Sequence, residues 1–372
     1  MKKICVVTAA RSEYGTLKWL MKDIDESQEF ELQLIVTGGH LSYEQGHTVD
    51  QIVEDGFNIT YMVDAELDTS TTACIADSMG KMSRGFAKAF EKIKPDYLLV
   101  LGDRYELLPI CNTAFVMRIP IIHLSGGDVT EGAIDDGVRN AVTMLSDYHF
   151  PGTEDAAKNI IRMRNSNQNV WAVGEPGLDS FRREKLLTRE ELANNLKLDI
   201  DKRWGLMTYH AETREDIDYN LRNVRICIEA LVAWGDVQTI ITYANADFGG
   251  KQINEFIEVE ARKYPDKIKV IPSLGHFRYL SYMKQTKFVM GNSSSGIIEA
   301  PFLCVPVINI GNRQKGRYQC GNIIQCIPNK ISITAAMDKI LSGKVDSPED
   351  LSYWGDGNTS ERIMEVLRRV LK

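Results

Sequence analysis

The sequence predicts an α/β protein made of two Rossmann-like domains facing a cleft. Three observations predict it. Apolar strand-like runs alternate with amphipathic helical stretches along most of the chain, the pattern of a parallel sheet with helices on both faces. The alternation breaks at VGEPGL, residues 173–178, and then restarts. The length of 372 residues exceeds that of a usual single domain. The expected domains are 1–174 and 175–358, followed by a last helix at 359–371.

In the first half, residues 4–8 read as strand and 13–25 as helix, with Leu17, Leu20, Met21 and Ile24 on one face. Residues 31–37 are strand, 46–54 a short helix, 57–63 extended and 72–92 a longer helix. Strand 97–101, helix 105–116, strand 119–124, helix 134–145 and strand 148–150 follow. The charged stretch 179–203 reads as linker and peripheral helix. In the second half, strand 205–209, helix 214–234, strand 237–242, helix 253–263 and strand 268–271 repeat the pattern. Helix 277–284, strand 288–290, helix 296–302 and strand 305–308 complete it.

A net charge of -7 argues against nucleic acid as the main partner. A small anion needs only a few arginines and helix N-termini. The seven cysteines are odd in number, scattered and free of C-x-x-C spacing. They predict reduced core thiols and a cytoplasmic protein. The six histidines show no metal-binding spacing. The N-terminus starts in a strand without a signal-peptide core, and no apolar run approaches the ~18 residues of a membrane span. No membrane partner, metal or cofactor is expected.

The functional residues should lie at strand carboxyl ends, where open α/β sheets place ligands. Between residues 97 and 139, two strand ends carry Asp103, Arg104, Glu106, His123, Asp128, Glu131, Asp135 and Asp136, with Gly102, Gly126 and Gly127 among them. Glycines there admit close backbone approach to a ligand; the plainer reading is a solvated loop with helix caps.

The first strand ends in TAARSEYG, which lacks G-x-G-x-x-G and so excludes the usual dinucleotide fingerprint. Arg11, before a helix capped by Ser12, suits a phosphate, or is an ordinary surface arginine. GNSSSGIIEAP, residues 291–301, offers Ser293, Ser294 and Gly296 as a diphosphate cradle and Glu299, one turn into a helix, for ribose hydroxyls. Alternatively the serines are caps and Glu299 a first-turn acid. Arg313, Lys315 and Arg317 lie just past a strand and close over the same phosphates or form a flexible basic loop. His210 ends strand 205–209 beside Glu212, as a catalytic or a structural histidine. His276 starts a helix and is a weaker nucleotide contact.

TAARSEYG, LGDRYE, HLSGGDVTEGAIDD, GNSSSGIIEAP and NIGNRQKGR, in this order and spacing, resemble the hydrolysing UDP-N-acetylglucosamine 2-epimerases of sialic-acid synthesis. They also resemble relatives acting on UDP- or GDP-linked 2,4-diacetamido sugars of legionaminic-acid synthesis. The resemblance covers essentially the whole chain. It implies the glycosyltransferase-B type of fold, with the last helix, 359–372, crossing back onto the N-terminal domain. It implies release of UDP and N-acetylmannosamine through a 2-acetamidoglycal that is hydrated with inversion at carbon 2, without nicotinamide or metal. By resemblance Asp103, Asp128, Asp135 and His210 are catalytic. Arg11, Ser293, Ser294 and Glu299 match the family's substrate- and nucleotide-binding positions, and Glu131, Arg139, His276, Gly296, Arg313 and Arg317 are expected to bind substrate or nucleotide with them. A homodimer or homotetramer is implied as well.

The chain departs from the family pattern around the sugar: Gly126-Gly127-Asp128 replaces GGE, Arg139-Asn140 replaces Arg-His, and His210-Ala211-Glu212-Thr213 replaces HPET. These departures bear on the substrate more than on the reaction. Three other readings compete. A glycosyltransferase of the same fold would not need the acid cluster. A non-hydrolysing 2-epimerase would have an HVEAGLR-like segment in place of HLSGGDV. A non-catalytic nucleotide-sugar sensor would lose acids such as Asp103 and Asp128.

Overall fold

The computed structural model describes residues 1–43 and 46–371. The chain forms two compact units. One comprises Met1–Val129, Asp135–Arg183 and the residues from Tyr353 onward; the other comprises Thr130–Ile134 and Glu184–Ser352. The Gly/Pro break at 174 thus lies inside the first unit. The reason is hydrogen bonding: the Glu175 amide donates to the Trp354 carbonyl at 2.7 Å, and Asp179 accepts the amides of Thr359 and Ser360 at 2.8 and 2.7 Å.

The first unit holds a six-stranded sheet of β1 (Lys2–Thr8), β2 (Phe30–Thr37), β3 (Ile59–Val63), β4 (Tyr97–Leu101), β5 (Ile121–Leu124) and β6 (Tyr148–Phe150). Their order is β3-β2-β1-β4-β5-β6 and every pairing is parallel. Both faces are covered. Ile4 and Val6 pack with Leu17, Leu20, Met21 and the last helix's Ile363 and Leu367, whereas Cys5 and Val7 pack with Met82, Phe86 and Phe90. Successive strand residues point to opposite faces, so a strand buried on both must be apolar throughout. The second unit repeats the design with β7 (Arg203–Thr208), β8 (Val237–Thr242), β9 (Ile268–Ile271), β10 (Phe288–Gly291), β11 (Val307–Ile310) and β12 (Ile323–Cys326). Its order, β12-β11-β10-β7-β8-β9, is again parallel and has the same connectivity. Met207 packs with Val224 and Cys227 on one face, and Trp204 and Leu206 with Leu192 and Tyr282 on the other.

In each sheet the strand order reverses between the first and fourth strands, the place where such folds bind ligands. The loops after β1 and β4 flank that point in the first unit, and those after β7 and β10 in the second.

Several expected boundaries move, for local reasons. The first helix is Arg11–Asp25, so Ser12 is not its cap; Glu13 reaches back instead, its Oε2 accepting the amides of Ala9 and Ala10 at 2.7 and 3.0 Å. The expected helix 214–234 is Ile217–Ala233, because Asp216 caps it by accepting the Tyr219 amide. In place of helix 296–302 the chain makes a 3₁₀ turn, Ser294–Gly296, and a short helix, Glu299–Phe302. Pro301 has no amide hydrogen and is tolerated only in a first helical turn, so the helix starts at Glu299 rather than a turn earlier. Pro306 likewise delays β11 to Val307. The structure adds a helix at Glu154–Arg164, capped by Thr153, and the pair β12 and helix Lys330–Leu341. The described cysteines are free; five are buried, Cys74 is half-buried and Cys304 exposed.

Candidate active site

In the first unit, Arg139 organises the acids. It lies on the helix Asp135–Leu145 and is fully buried. Its guanidinium pairs with the Asp103 carboxylate and donates to the Asp128 carbonyl at 2.9 Å. Asp136 stands 3.6 Å away. Asp135 precedes Arg139 by one helical turn and so shares its face. Burial works against the Arg139 charge, but Asp103, Asp128 and Asp135 outweigh it and raise its pKa. The buried cation thus holds the Asp103 carboxylate directly and is favoured by the nearby charges of Asp128 and Asp135. Asp128 is buried, and Asp103 and Asp135 are partly exposed. Asp103 and Asp128 follow β4 and β5, and both lie within the segment that predicted them.

Two further acids stand by the first strand. Glu13 is buried, and only its Oε2 has hydrogen-bond partners. Burial pushes its pKa up to about 7; Arg104 opposes the shift and Glu106 adds to it. Glu106 is fully buried against Arg104 at 2.8 Å. Arg11, partly buried, is the first helical residue beside them.

In the second unit, the β7 and β10 loops are fastened to each other. The Asn292 side chain accepts the His210 amide at 2.7 Å and donates to the His210 carbonyl at 2.9 Å. His210 Nδ1 accepts the Asn245 amide at 3.1 Å, which leaves the proton of the neutral ring on Nε2. Ser293 accepts from the Ser295 amide and hydroxyl, and Tyr279 reaches Ser295 at 2.7 Å. Ser294 and Gly296 bound the 3₁₀ turn. Glu299 has an Oε2 without a partner, and burial raises its pKa to about 7 against the pull of Arg317. The basic loop closes onto the same strand end. Arg313 and Gln314 donate to the Asn292 carbonyl at 3.3 and 2.9 Å, and Arg317 donates to Gln314. Glu212, its pKa raised by burial, anchors that loop by accepting the Asn312 amide at 3.2 Å.

Glu131 belongs to this second unit. Its amide donates to the Lys315 carbonyl at 2.9 Å and its carboxylate pairs with the Lys315 ammonium at 2.6 Å. The Ile134 amide donates to Thr213. Within this unit the neighbour of Glu131 is therefore the basic loop. His276 is the second residue of the helix Gly275–Gln285, half-buried and outside the Asn292 hydrogen bonds.

Glu13 and Asn292 hold these places without having been singled out from the sequence, and Glu212 was read there only as the neighbour of His210. Asn292 adjoins the serine run and Glu212 adjoins His210, so motif adjacency was the available signal. Among the described residues, no group of three or more His, Cys, Asp or Glu is placed to hold a metal ion, and no helix is long and apolar enough to cross a membrane.

The profile of the UDP-N-acetylglucosamine 2-epimerase family matches residues 22–368. The chain is 37% identical to the GDP/UDP-N,N'-diacetylbacillosamine 2-epimerase (hydrolyzing) of Campylobacter jejuni, over 92% of this chain and 88% of that one. It is 34% identical to the UDP-N,N'-diacetylbacillosamine 2-epimerase (hydrolyzing) of Legionella pneumophila, over 100% and 96%. The crystal structure of the Methanocaldococcus jannaschii UDP-GlcNAc 2-epimerase in complex with UDP-GlcNAc and UDP shares the fold, with a TM-score of 0.82, 22% identity and 99% coverage of both chains. With two Rossmann-type sheets, acids gathered on a buried arginine and these relatives, the chain belongs to the UDP-N-acetylglucosamine 2-epimerase family, among its hydrolysing enzymes.

Proposed function

We propose that this protein hydrolyses and epimerises a nucleoside-diphosphate-linked 2,4-diacetamido-2,4,6-trideoxyglucose, releasing the nucleotide and the free manno-configured sugar. The observation that carries the reaction is the carboxylate set on Arg139. The sugar is supported by the two hydrolysing relatives, both named for N,N'-diacetylbacillosamine.

Carbon 2 has no neighbouring carbonyl, so its proton is not acidic in the ground state. Cleavage of the bond from carbon 1 to the diphosphate oxygen leaves positive charge at carbon 1, which acidifies that proton. In this reading Arg313, Arg317 and the serine turn of 293–296 take the leaving diphosphate, and Glu299 the ribose. Carboxylates of the Asp103, Asp128 and Asp135 set stabilise the cation, and one of them removes the proton from carbon 2. The product is a 2-acetamidoglycal. Water then adds its hydroxyl to carbon 1, and a second acid delivers a proton to the other face of carbon 2. Two proton transfers require groups of unlike proton affinity, and carboxylates in unequal surroundings supply them. His210, with Nε2–H outward from its Asn245 contact, serves as a donor to the sugar or the leaving group.

A second reading keeps the reaction and changes the sugar to UDP-N-acetylglucosamine, giving N-acetylmannosamine; the description of the matching family favours it. Proton NMR in heavy water separates the two. UDP- and GDP-linked N,N'-diacetylbacillosamine should yield free nucleotide and sugar deuterated at carbon 2, with kcat/KM at least about 100-fold above that for UDP-N-acetylglucosamine. The reverse preference would establish the second reading. Epimerised sugar still bound to nucleotide would overturn hydrolysis.

A further inference from the structure

His123 lies on β5, fully buried, and the reaction proposed above gives it no step. Its surroundings are all in the first unit. Nε2 lies 2.8 Å from the Gly102 carbonyl, and Nδ1 lies 3.2 Å from the Thr143 hydroxyl. A carbonyl only accepts, so Nε2 carries the proton and Nδ1 accepts from Thr143. The third neighbour is Gly126. A methyl group there would stand 2.9 Å from Nδ1 and 3.0 Å from Cε1 and from the Thr143 Oγ1. The ring therefore fills the space a side chain at 126 would need.

Each of these three contacts leads directly to a residue of the acid cluster; on the adjacent strand the buried His149 pairs in register with His123. Gly102, with φ of +82°, is the turn that presents Asp103. Gly126 begins the turn that presents Asp128. Thr143 lies one helical turn beyond Arg139 on the same helix, so both share a face. We propose that His123 is the positioning residue of this cluster: its buried imidazole joins the Asp103 turn, the Asp128 turn and the Arg139 helix, and so sets the distances among them. This inference rests on the reading of those acids as the reacting groups. A neutral ring suits the role. Burial, aided by the Arg139 charge, lowers the His123 pKa to about 4, against the opposing Gly102 bond and Asp103 charge. The two hydrogen bonds then persist across the neutral pH range. A displacement of reacting groups by about 1 Å costs on the order of 100-fold in rate, so a group that never touches substrate can still control kcat.

The test compares His123→Leu with His123→Gln, whose side-chain amide reaches as far as Nε2 and keeps a donor. His123→Leu should lower kcat by about 100-fold, with KM and the Kd for UDP within about threefold. His123→Gln should recover at least about tenfold of that loss. Independently of any turnover, 15N NMR of histidine-labelled wild type, with the ring assigned by its disappearance in His123→Gln, should show a neutral ring protonated on Nε2 from pH 6 to 8. A kcat within about threefold of wild type in His123→Leu, a matching loss of UDP affinity, or a ring protonated on Nδ1 or titrating in that range would each overturn the inference. Absence of turnover by the wild type on every nucleotide sugar would instead overturn the proposed function, and the NMR result would then decide the role of the ring alone.

Discussion

Asp103 and Asp128 hold one cation by different means, the first through its carboxylate and the second through its backbone carbonyl. Asp103→Asn keeps the side-chain shape and removes the charge that offsets buried Arg139. Turnover should fall roughly 10²- to 10⁴-fold in Asp103→Asn and in Asp128→Asn, the span of a lost acid–base group. The Kd for UDP should stay within about threefold, since the groups proposed to take the leaving diphosphate and the ribose, Arg313, Arg317, the serine turn and Glu299, belong to the second unit. Loss of UDP binding in both variants, read by titration calorimetry, would move these acids into a nucleotide site. Glu13 gives a pH prediction. Its pKa rises from 4.5 to about 7 on folding because the carboxyl is buried. Such a group stabilises the fold fully below its unfolded value and loses that contribution as pH rises through 7. Glu13→Gln should match wild type near pH 5 and exceed it by roughly 2–3 kcal/mol at pH 8 in urea unfolding. An offset equal at both pH values would show that Glu13 does not titrate there.

The C-terminal helix Thr359–Val370 begins without a cap of its own, since Asn358 makes no side-chain bond to it. Asp179, distant in sequence and fully buried, caps it with both carboxylate oxygens. Asp179→Ala leaves two buried amides without partners and should cost about 2 kcal/mol or more. Asp179→Asn keeps one acceptor and should cost less, in the same urea experiment. Equal losses would mean that charge rather than hydrogen bonding holds the helix start. The two prolines mark where periodicity misleads: Pro301 confines its helix to a start at Glu299 and Pro306 delays the strand to Val307, because each lacks an amide hydrogen. In contrast, the amphipathic face of Leu17, Leu20, Met21 and Ile24 was legible at once, because a core-facing stripe repeats on the helical period.

Each unit has its own six-stranded sheet with apolar cores on both faces. Chains of this kind commonly depart from two-state unfolding. Calorimetry should resolve two transitions, or a calorimetric enthalpy above the van't Hoff value. UDP at 100 times its Kd should stabilise the transition of the second unit by about 2.7 kcal/mol. A single transition that UDP shifts as a whole would show that the units unfold as one.

The sequence by itself determined the alternation of strands and helices, the double-sided burial of the strands and the acids at their carboxyl ends. It also carried the motifs that resemble the family. All of these are local patterns, written within a turn or two of the residues concerned. The strand order, which sets the loops of β1 beside β4 and of β7 beside β10, was decided only by the tertiary structure. So were the burial of Glu13, the capping of the last helix by Asp179, the grouping of Glu131 with Lys315 and the three contacts of His123. Each depends on residues far apart in the chain meeting in space, and hydrophobic period carries no record of which strand becomes whose neighbour.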